Sequence, residues 1–227
     1  KDQKLAGVVL LLKDITQLRE LERLKSEFVM AASHELRTPL TSLGMGIDLL
    51  LEHAVHYLPE KEKELLQAAH DEVHRMKAMV HDLLDLSKIE AGRIDLEFES
   101  VAVVTLFDHA RDIFKGQANM KDIRLEIGAV DDLPRVRADT NKIVWVLSNL
   151  VSNALRYVDT GGVIRLGAEL IGNYIHITVE DDGIGIPPEY QSRIFQKFVR
   201  VDKQESGRTG LGLAICREIV RAHGGTI

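Results

Sequence analysis

A single cysteine, Cys216, stands in a chain of 227 residues, so no internal disulfide can form and the chain is not a disulfide-stapled scaffold. Proline is scarce, with 5 residues, and 17 glycines follow no fixed period, which excludes collagen and low-complexity disorder. The longest purely aliphatic run, Val8 to Leu12, falls far short of the roughly 20 apolar residues that span a bilayer. Positive charge is not in excess, since 29 Lys+Arg against 35 Asp+Glu leave a formal charge of −6. That balance speaks against a protein built to neutralise nucleic-acid phosphate, and an anionic ligand would need a local site. What is present is an ordinary globular mixture, 45% hydrophobic and 28% charged, in a length that suits one or two domains. The chain begins at Lys1 with neither an initiator Met nor a secretory-type segment, and is expected to be a cytoplasmic piece of a longer protein.

Leu5 to Leu12 reads as a short apolar strand that runs into the helix-capping signal Asp14-Ile15-Thr16. Apolar residues then recur at Leu21, Leu24, Phe28 and Ala31, and again after Pro39 at Leu40, Leu43, Ile47, Leu50 and Ala54, a heptad seam broken once. Pro59 opens a second seam at Leu66, Ala69, Val73, Met76, Val80 and Leu83, which Gly92 ends. The spacing predicts an antiparallel helical hairpin, and two such rods enclose a core only as a homodimeric four-helix bundle. Beyond Gly92, short strand-like segments (Arg124 to Ile127, Val163 to Leu170, Tyr174 to Glu180) alternate with helical stretches (Val103 to Asn119, Asn141 to Tyr157, Leu213 to His223). That is an α/β domain, with glycine concentrated in its second half.

Four clusters carry candidate chemistry. Ser33-His34-Glu35-Leu36-Arg37-Thr38-Pro39 lies inside the first helix, where Pro39 removes the backbone bond to the Glu35 carbonyl and should bend the helix beside His34. His34 falls outside the seam, and a free imidazole can act as a nucleophile with Glu35 to take its ring proton; Thr38 offers a hydroxyl one turn on. Taken alone, a His beside a Glu on a helix is more often mere surface. In Asn149-Leu150-Val151-Ser152-Asn153-Ala154-Leu155-Arg156-Tyr157, Asn149 and Asn153 share a helix face and could hold one hard cation. Arg156 could meet a phosphate and Tyr157 a flat base. Asp181-Asp182-Gly183-Ile184-Gly185-Ile186 ends a strand in a glycine turn, where Asp181 could accept a hydrogen bond from an exocyclic amine, although Asp-Gly turns are common without a ligand. Gly207-Arg208-Thr209-Gly210-Leu211-Gly212-Leu213 opens a helix, and free amides at a helix N-terminus suit a triphosphate.

Together, in this order, the clusters resemble the HisKA-type sensor histidine kinases of two-component signalling, over about Thr16 to Ile227. His34 matches the H box, Asn149 and Asn153 the N box, Asp181 with Gly183 and Gly185 the G1 box, Phe195 and Phe198 the F box, and Gly210 with Gly212 the G2 box. The resemblance implies a dimerisation and histidine-phosphotransfer domain over 16–95 and a Bergerat-type ATP-binding α/β sandwich over 96–227, preceded at 1–15 by the end of a PAS-like sensor domain. It implies ATP and Mg²⁺ as cofactors, with Asn153 and Asn149 on the metal, Asp181, Gly183, Gly185 and Ile186 at the adenine, and Tyr157 stacked near it. Arg156, Lys197 and Arg200 become candidates for phosphate contact. Phe198, Thr209, Gly210, Leu211, Gly212 and Leu213 would border the phosphates, with a mobile lid between Phe198 and Gly210. The γ-phosphoryl would pass to His34 with Glu35 as base and then to an aspartate of a response regulator, and Thr38 implies a phosphatase activity. The partners implied are a second copy, a response-regulator receiver domain that docks below His34, and an upstream sensor domain, with no nucleic acid and any membrane anchor outside this chain. The chain departs from the pattern where it stops at His223-Gly224-Gly225-Thr226-Ile227, because the family continues through a further strand.

Other readings are weaker. His70 and His74 stand at the i, i+4 spacing of a helical zinc site, but Asp71 occupies the place where the metalloprotease motif has Glu and no third ligand follows on that helix. With Lys77 and His81 they read as a solvated polar row. Cys216, in phase with Leu213 and Val220, reads as a small core residue. His109, His176 and His223 receive no role. Gly44 and Gly46 should let another helix approach closely. A nucleotide-binding dimeric scaffold, or a Bergerat-type ATPase without phosphotransfer, is the alternative function, and the acceptor histidine on a helix is the feature that argues against both.

Overall fold

The computed structural model describes residues 14–90, 95–128, 133–201 and 209–227. The expected strand at Leu5 to Leu12 and the expected helix stop at Gly92 lie outside the described residues. Helix α1 runs from Thr16 to His53, and its start is tied by Asp14, whose carboxylate accepts the Thr16 N–H at 2.9 Å. It continues as one helix through Pro39, which leaves the Glu35 carbonyl without its helical donor. A 3₁₀ turn over Val55–Tyr57 leads into α2, Glu60–Glu90. The Pro59 carbonyl accepts the Lys63 N–H at 3.1 Å, and Glu60 and Glu62 set negative charge in the first turn of α2, where the helix dipole favours it.

The two helices meet on a face of α1 that keeps Leu40, and in part Ile47, of the expected seam but not its residues before Pro39. Ser26, Ser33, Leu40 and Gly44 are the buried positions of α1, whereas Leu21, Leu24, Phe28 and Leu43 stay exposed, Phe28 at 73%. Small residues decide this choice. Ser87 donates its hydroxyl to the Ser26 carbonyl at 3.0 Å, and a Cβ on Gly44 would run into the Lys77 side chain. Gly46 faces open space, so close approach holds at Gly44 alone. On α2 the expected seam turns inward except at Ala69, which is exposed, with Val73 buried and Leu66, Met76, Val80 and Leu83 half-buried.

The second region comprises β1 (Glu99–Val101), α3 (Val103–Met120), β2 (Arg124–Ile127), β3 (Val136–Ala138), α4 (Thr140–Tyr157), β4 (Val163–Ile171), β5 (Tyr174–Asp181), α5 (Pro188–Gln191) and α6 (Gly212–Ala222). Strand β4 is central in a three-stranded sheet, parallel to β2 and antiparallel to β5, while β1 and β3 form a separate antiparallel pair. Leu106, Phe107, Ala110 and Phe114 recur every three or four residues on α3, and with Leu147, Val151 and Ala154 of α4 they cover Ile164 and Leu166 of the sheet. On β5 the period is two, with Ile175, Ile177 and Val179 against this core. The expected plan of a helical hairpin followed by an α/β domain holds.

A smaller core joins the two regions. Leu86 of α2 packs with Val146 of α4 and with Leu211, Ile215, Cys216 and Ile219 at α6. Cys216 is fully buried, and burial pushes its thiol up to about 12, so it is a packing residue as expected. No described helix is long and apolar enough to cross a membrane.

Candidate functional site

His34 and Glu35 stand exposed on α1 beside Ser33, which is buried against α2, and Thr38 lies exposed one turn further on. This is an accessible imidazole on a rigid rod, with a carboxylate next to it in sequence.

The other site residues gather around α4. That helix starts at Asp139, whose carboxylate accepts the N–H groups of Lys142 and Glu97, both at 3.0 Å. Burial pushes this carboxyl up, but the two backbone donors outweigh it and hold it below the usual carboxylate range. Asn149 and Asn153 follow on one face, both half-buried. Asn149 donates its amide to the Trp145 carbonyl at 3.1 Å, and a Cβ on Gly212 would lie 2.6 Å from its Oδ1. The start of α6 therefore lies against the N-box face, where a larger residue at Gly212 would push the Asn149 amide aside.

At the other end of α4 the Tyr157 carbonyl accepts the Ile184 N–H at 3.4 Å, and a Cβ on Gly183 would lie 2.6 Å from that carbonyl. Asp181 closes β5, and its Oδ1 accepts the Gly183 N–H at 3.0 Å, while Gly185 takes a φ of +72° that an L side chain resists. Asp182 is used structurally, accepting the Val163 N–H at 2.9 Å. Asp181, Gly183, Gly185, exposed Ile186 and half-buried Tyr157 thus stand at one end of the helix that carries both asparagines.

The Phe198 N–H donates to the Gly210 carbonyl at 2.9 Å, with both residues at positive φ, +62° and +69°. This bond joins the two ends of the expected lid, of which residues 202–208 lie outside the described residues. Arg200 has a buried guanidinium nitrogen, Nη2, with no hydrogen-bond partner among the described residues. A buried cationic donor left unsatisfied is costly, so this atom fits an anionic ligand such as a phosphate.

Several expected contacts point elsewhere. The Thr209 hydroxyl donates to Asp82 Oδ2 on α2 and accepts the Leu211 N–H, both at 3.0 Å, and the Leu211 side chain enters the core shared with α2. Of the G2 residues, Gly212 and Leu213 remain at the open start of α6. Burial draws the Lys197 ammonium below the ordinary lysine value, and the charge of Lys25 on α1 adds to the effect. Arg156 is exposed in the last turn of α4.

The His Kinase A (phospho-acceptor) domain matches residues 24–92, and the histidine kinase-, DNA gyrase B- and HSP90-like ATPase domain matches residues 138–227. The chain carries both domains of the HisKA-type histidine kinases. It is 42% identical over 223 residues to the alginate biosynthesis sensor protein KinB of Pseudomonas aeruginosa, a match that covers 97% of this chain and 37% of that protein. The full-length kinase ShkA in complex with AMPPNP superposes with a TM-score of 0.73 at 28% identity, covering 87% of this chain and 41% of that one. The kinase ThkA in complex with the response regulator TrrA gives 0.63 at 27% identity, over 94% and 62%. This histidine kinase core spans about a third of the length of the curated relatives it matches.

Three further residues position the site. Asp139 caps α4, Asp82 receives Thr209, and the His223 ring donates from Nδ1 to the Ile219 carbonyl at 2.8 Å and accepts the Asp139 N–H on Nε2 at 3.0 Å. Only Asp139, one residue before a helical stretch, follows a rule that sequence reading can apply.

Proposed function

We propose that this chain is the catalytic core of a sensor kinase that phosphorylates His34 from ATP and passes the phosphoryl group to an aspartate of a response regulator. The observation that carries the reading is that an exposed histidine on a helical hairpin and an ATPase-family domain, in which a buried guanidinium nitrogen of Arg200 has no hydrogen-bond partner among the described residues, occur in one chain. The AMPPNP complex of the related ShkA and the response-regulator complex of the related ThkA support the nucleotide and the partner class. The boundary between the phosphotransfer and ATP-binding parts is drawn near residue 95.

In this reading Asp181 accepts from the adenine amine, Gly183, Gly185 and Ile186 border the base, and Tyr157 lies beside it. Arg200 and Arg156 draw the phosphates, and the amides of Gly212 and Leu213 at the start of α6 add the helix dipole. Mg²⁺, held through the side-chain oxygens of Asn153 and Asn149, would offset negative charge on the phosphates. An imidazole nitrogen of His34 attacks the γ-phosphorus in line, so that a P–N bond forms as the bond to the ADP oxygen breaks. Glu35 accepts the ring proton. Thr38, one turn from His34, orients a water for hydrolysis of the phosphorylated regulator. A second copy covers the exposed Leu21, Leu24, Phe28 and Leu43 to complete a four-helix bundle, and a sensor domain upstream of Thr16 supplies the signal.

The test is incubation with γ-labelled ATP and Mg²⁺ of the parent, His34→Gln and Asn153→Ala. Acid-labile, alkali-stable label in the parent and in neither variant is the expected result. Nucleotide binding by a folded, dimeric parent that takes up no label would overturn the reading.

A further inference from the structure

Below the phosphoacceptor, α1 and α2 bring three metal-ligating side chains to one point. Asp48 belongs to α1, and His70 and His74 stand one turn apart on α2. Asp48 Oδ1 lies 3.2 Å from His70 Nε2 and 3.9 Å from His74 Nε2, and one ligand atom from each of the three falls within 4.8 Å of the others. Metal–ligand bonds of about 2.0–2.1 Å give a tetrahedral zinc site a donor–donor edge of roughly 3.4 Å, a value that these two separations bracket. The rings are 4.3 Å apart at 48°, so both present a nitrogen toward the same carboxylate.

His70 is also held from behind. Its Nδ1 is 3.3 Å from Asp71 Oδ1, which in turn accepts the Gln67 amide at 2.9 Å. A carboxylate behind a ligating imidazole recurs in metal sites because it fixes the tautomer and raises the basicity of the other nitrogen. With Nδ1–H given to Asp71 in the neutral ring, His70 Nε2 and Asp48 Oδ1 face one another as acceptors, a gap that either a proton or a metal ion can close. Asp48 and His74 are about half exposed, each at 51%, which leaves an entry path and an open position for water.

We propose that Asp48, His70 and His74 form a site for a divalent transition metal, with zinc the best match to two imidazoles and one carboxylate, that bridges the two helices. The site lies 14 residues past His34 on α1, or about 21 Å along the helix. It is separate from the nucleotide machinery and does not depend on the kinase reading. A bound ion ties α1 to α2 and stabilises the hairpin in proportion to its occupancy.

Titration of the chelator-stripped chain with Co²⁺, followed by the visible absorption of four-coordinate cobalt, and displacement by Zn²⁺ in calorimetry test this site. One ion per chain with a micromolar dissociation constant is expected, together with a metal-dependent rise in melting temperature. Binding should weaken at least tenfold in Asp48→Asn and in His74→Gln, persist in His53→Gln, and persist in Asp48→His, which keeps three ligands. These positions are solvent-accessible, and matched helicity of the metal-free variants verifies that each is folded. Absence of a cobalt band in the parent, or affinity unchanged in both Asp48→Asn and His74→Gln, would overturn the proposal. Loss in His74→Gln with full retention in Asp48→Asn would overturn the bridge, since the ion would then sit on one helix alone.

Discussion

The helical hairpin and the α/β domain solve the burial problem in opposite ways. The α/β domain encloses its own core, with Leu106, Phe107, Val151, Ile164 and Leu166 fully removed from solvent. Along α1 the buried side of the helix is made of Ser26, Ser33, Leu40 and Gly44, while larger apolar residues face outward. One region carries its stability within itself. The other is stabilised by what it packs against, in part the α/β domain through Leu86 and in part the second copy proposed above.

Phe107→Ala should have the largest effect, about 3–5 kcal/mol from lost transfer energy and the cavity left behind. Denaturant unfolding followed by the fluorescence of Trp145, the single tryptophan, measures it, and a cost under 1 kcal/mol would mean that the α/β core is not self-sufficient. Leu24→Asp combined with Phe28→Asp should leave that transition in place but raise the dimer dissociation constant at least a hundredfold, at about 1.5–3 kcal/mol per side chain left unburied. Sedimentation at several concentrations reads this, and an unchanged oligomeric state would end the proposal that this face is covered by a copy.

Asp139→Ala should cost the α/β domain about 1–2 kcal/mol as a lost helix cap. Because the folded carboxyl of Asp139 titrates below its ordinary value, its stabilisation is complete above about pH 4 and is lost as the pH falls through the folded pKa. The variant should lose less stability than the parent over that acid range, and parallel acid profiles would refute the role. Thr209→Val should have the smallest effect, near 1 kcal/mol, since it removes both the donor to Asp82 and the acceptor for the Leu211 N–H. Hydrogen exchange at Leu211 about fivefold faster than in the parent, with global stability almost unchanged, is the expected signature.

Much of the α/β domain was legible because its periodicities are unmixed. α3 repeats every three or four residues and β5 every two, and the observed bounds of α3, β2 and α4 lie within a residue of the expected ones. Strands β1 and β3, three residues each, are too short to display a period. Nor could the seam of α1 be assigned to a partner: its heptads are real, but most of its larger side chains point away from α2, and the inner face joins Leu40 to two serines and a glycine. The same missing information, the rotation of one helix about the other, hid Asp48 from His70 and His74, which lie 22 residues or more further along the chain. The nucleotide motifs stood out as residue types, whereas the Thr209 hydroxyl bond to Asp82 joins positions 127 residues apart and leaves no local trace.

The His223 ring has a mechanical consequence. It pins the C-terminal end of α6 to the residue that begins α4, and the two helices run in opposite directions from that pin. Counting from it, Asn149 lies ten residues along α4 and Gly212 eleven residues back along α6, rungs of about 15 and 17 Å that end against each other. The pin therefore works as the fulcrum of a caliper whose jaws are the asparagine face and the first turn of α6. A slip of one residue at His223 would move the distant jaw by about 1.5 Å and slide the first turn of α6 along the asparagine face.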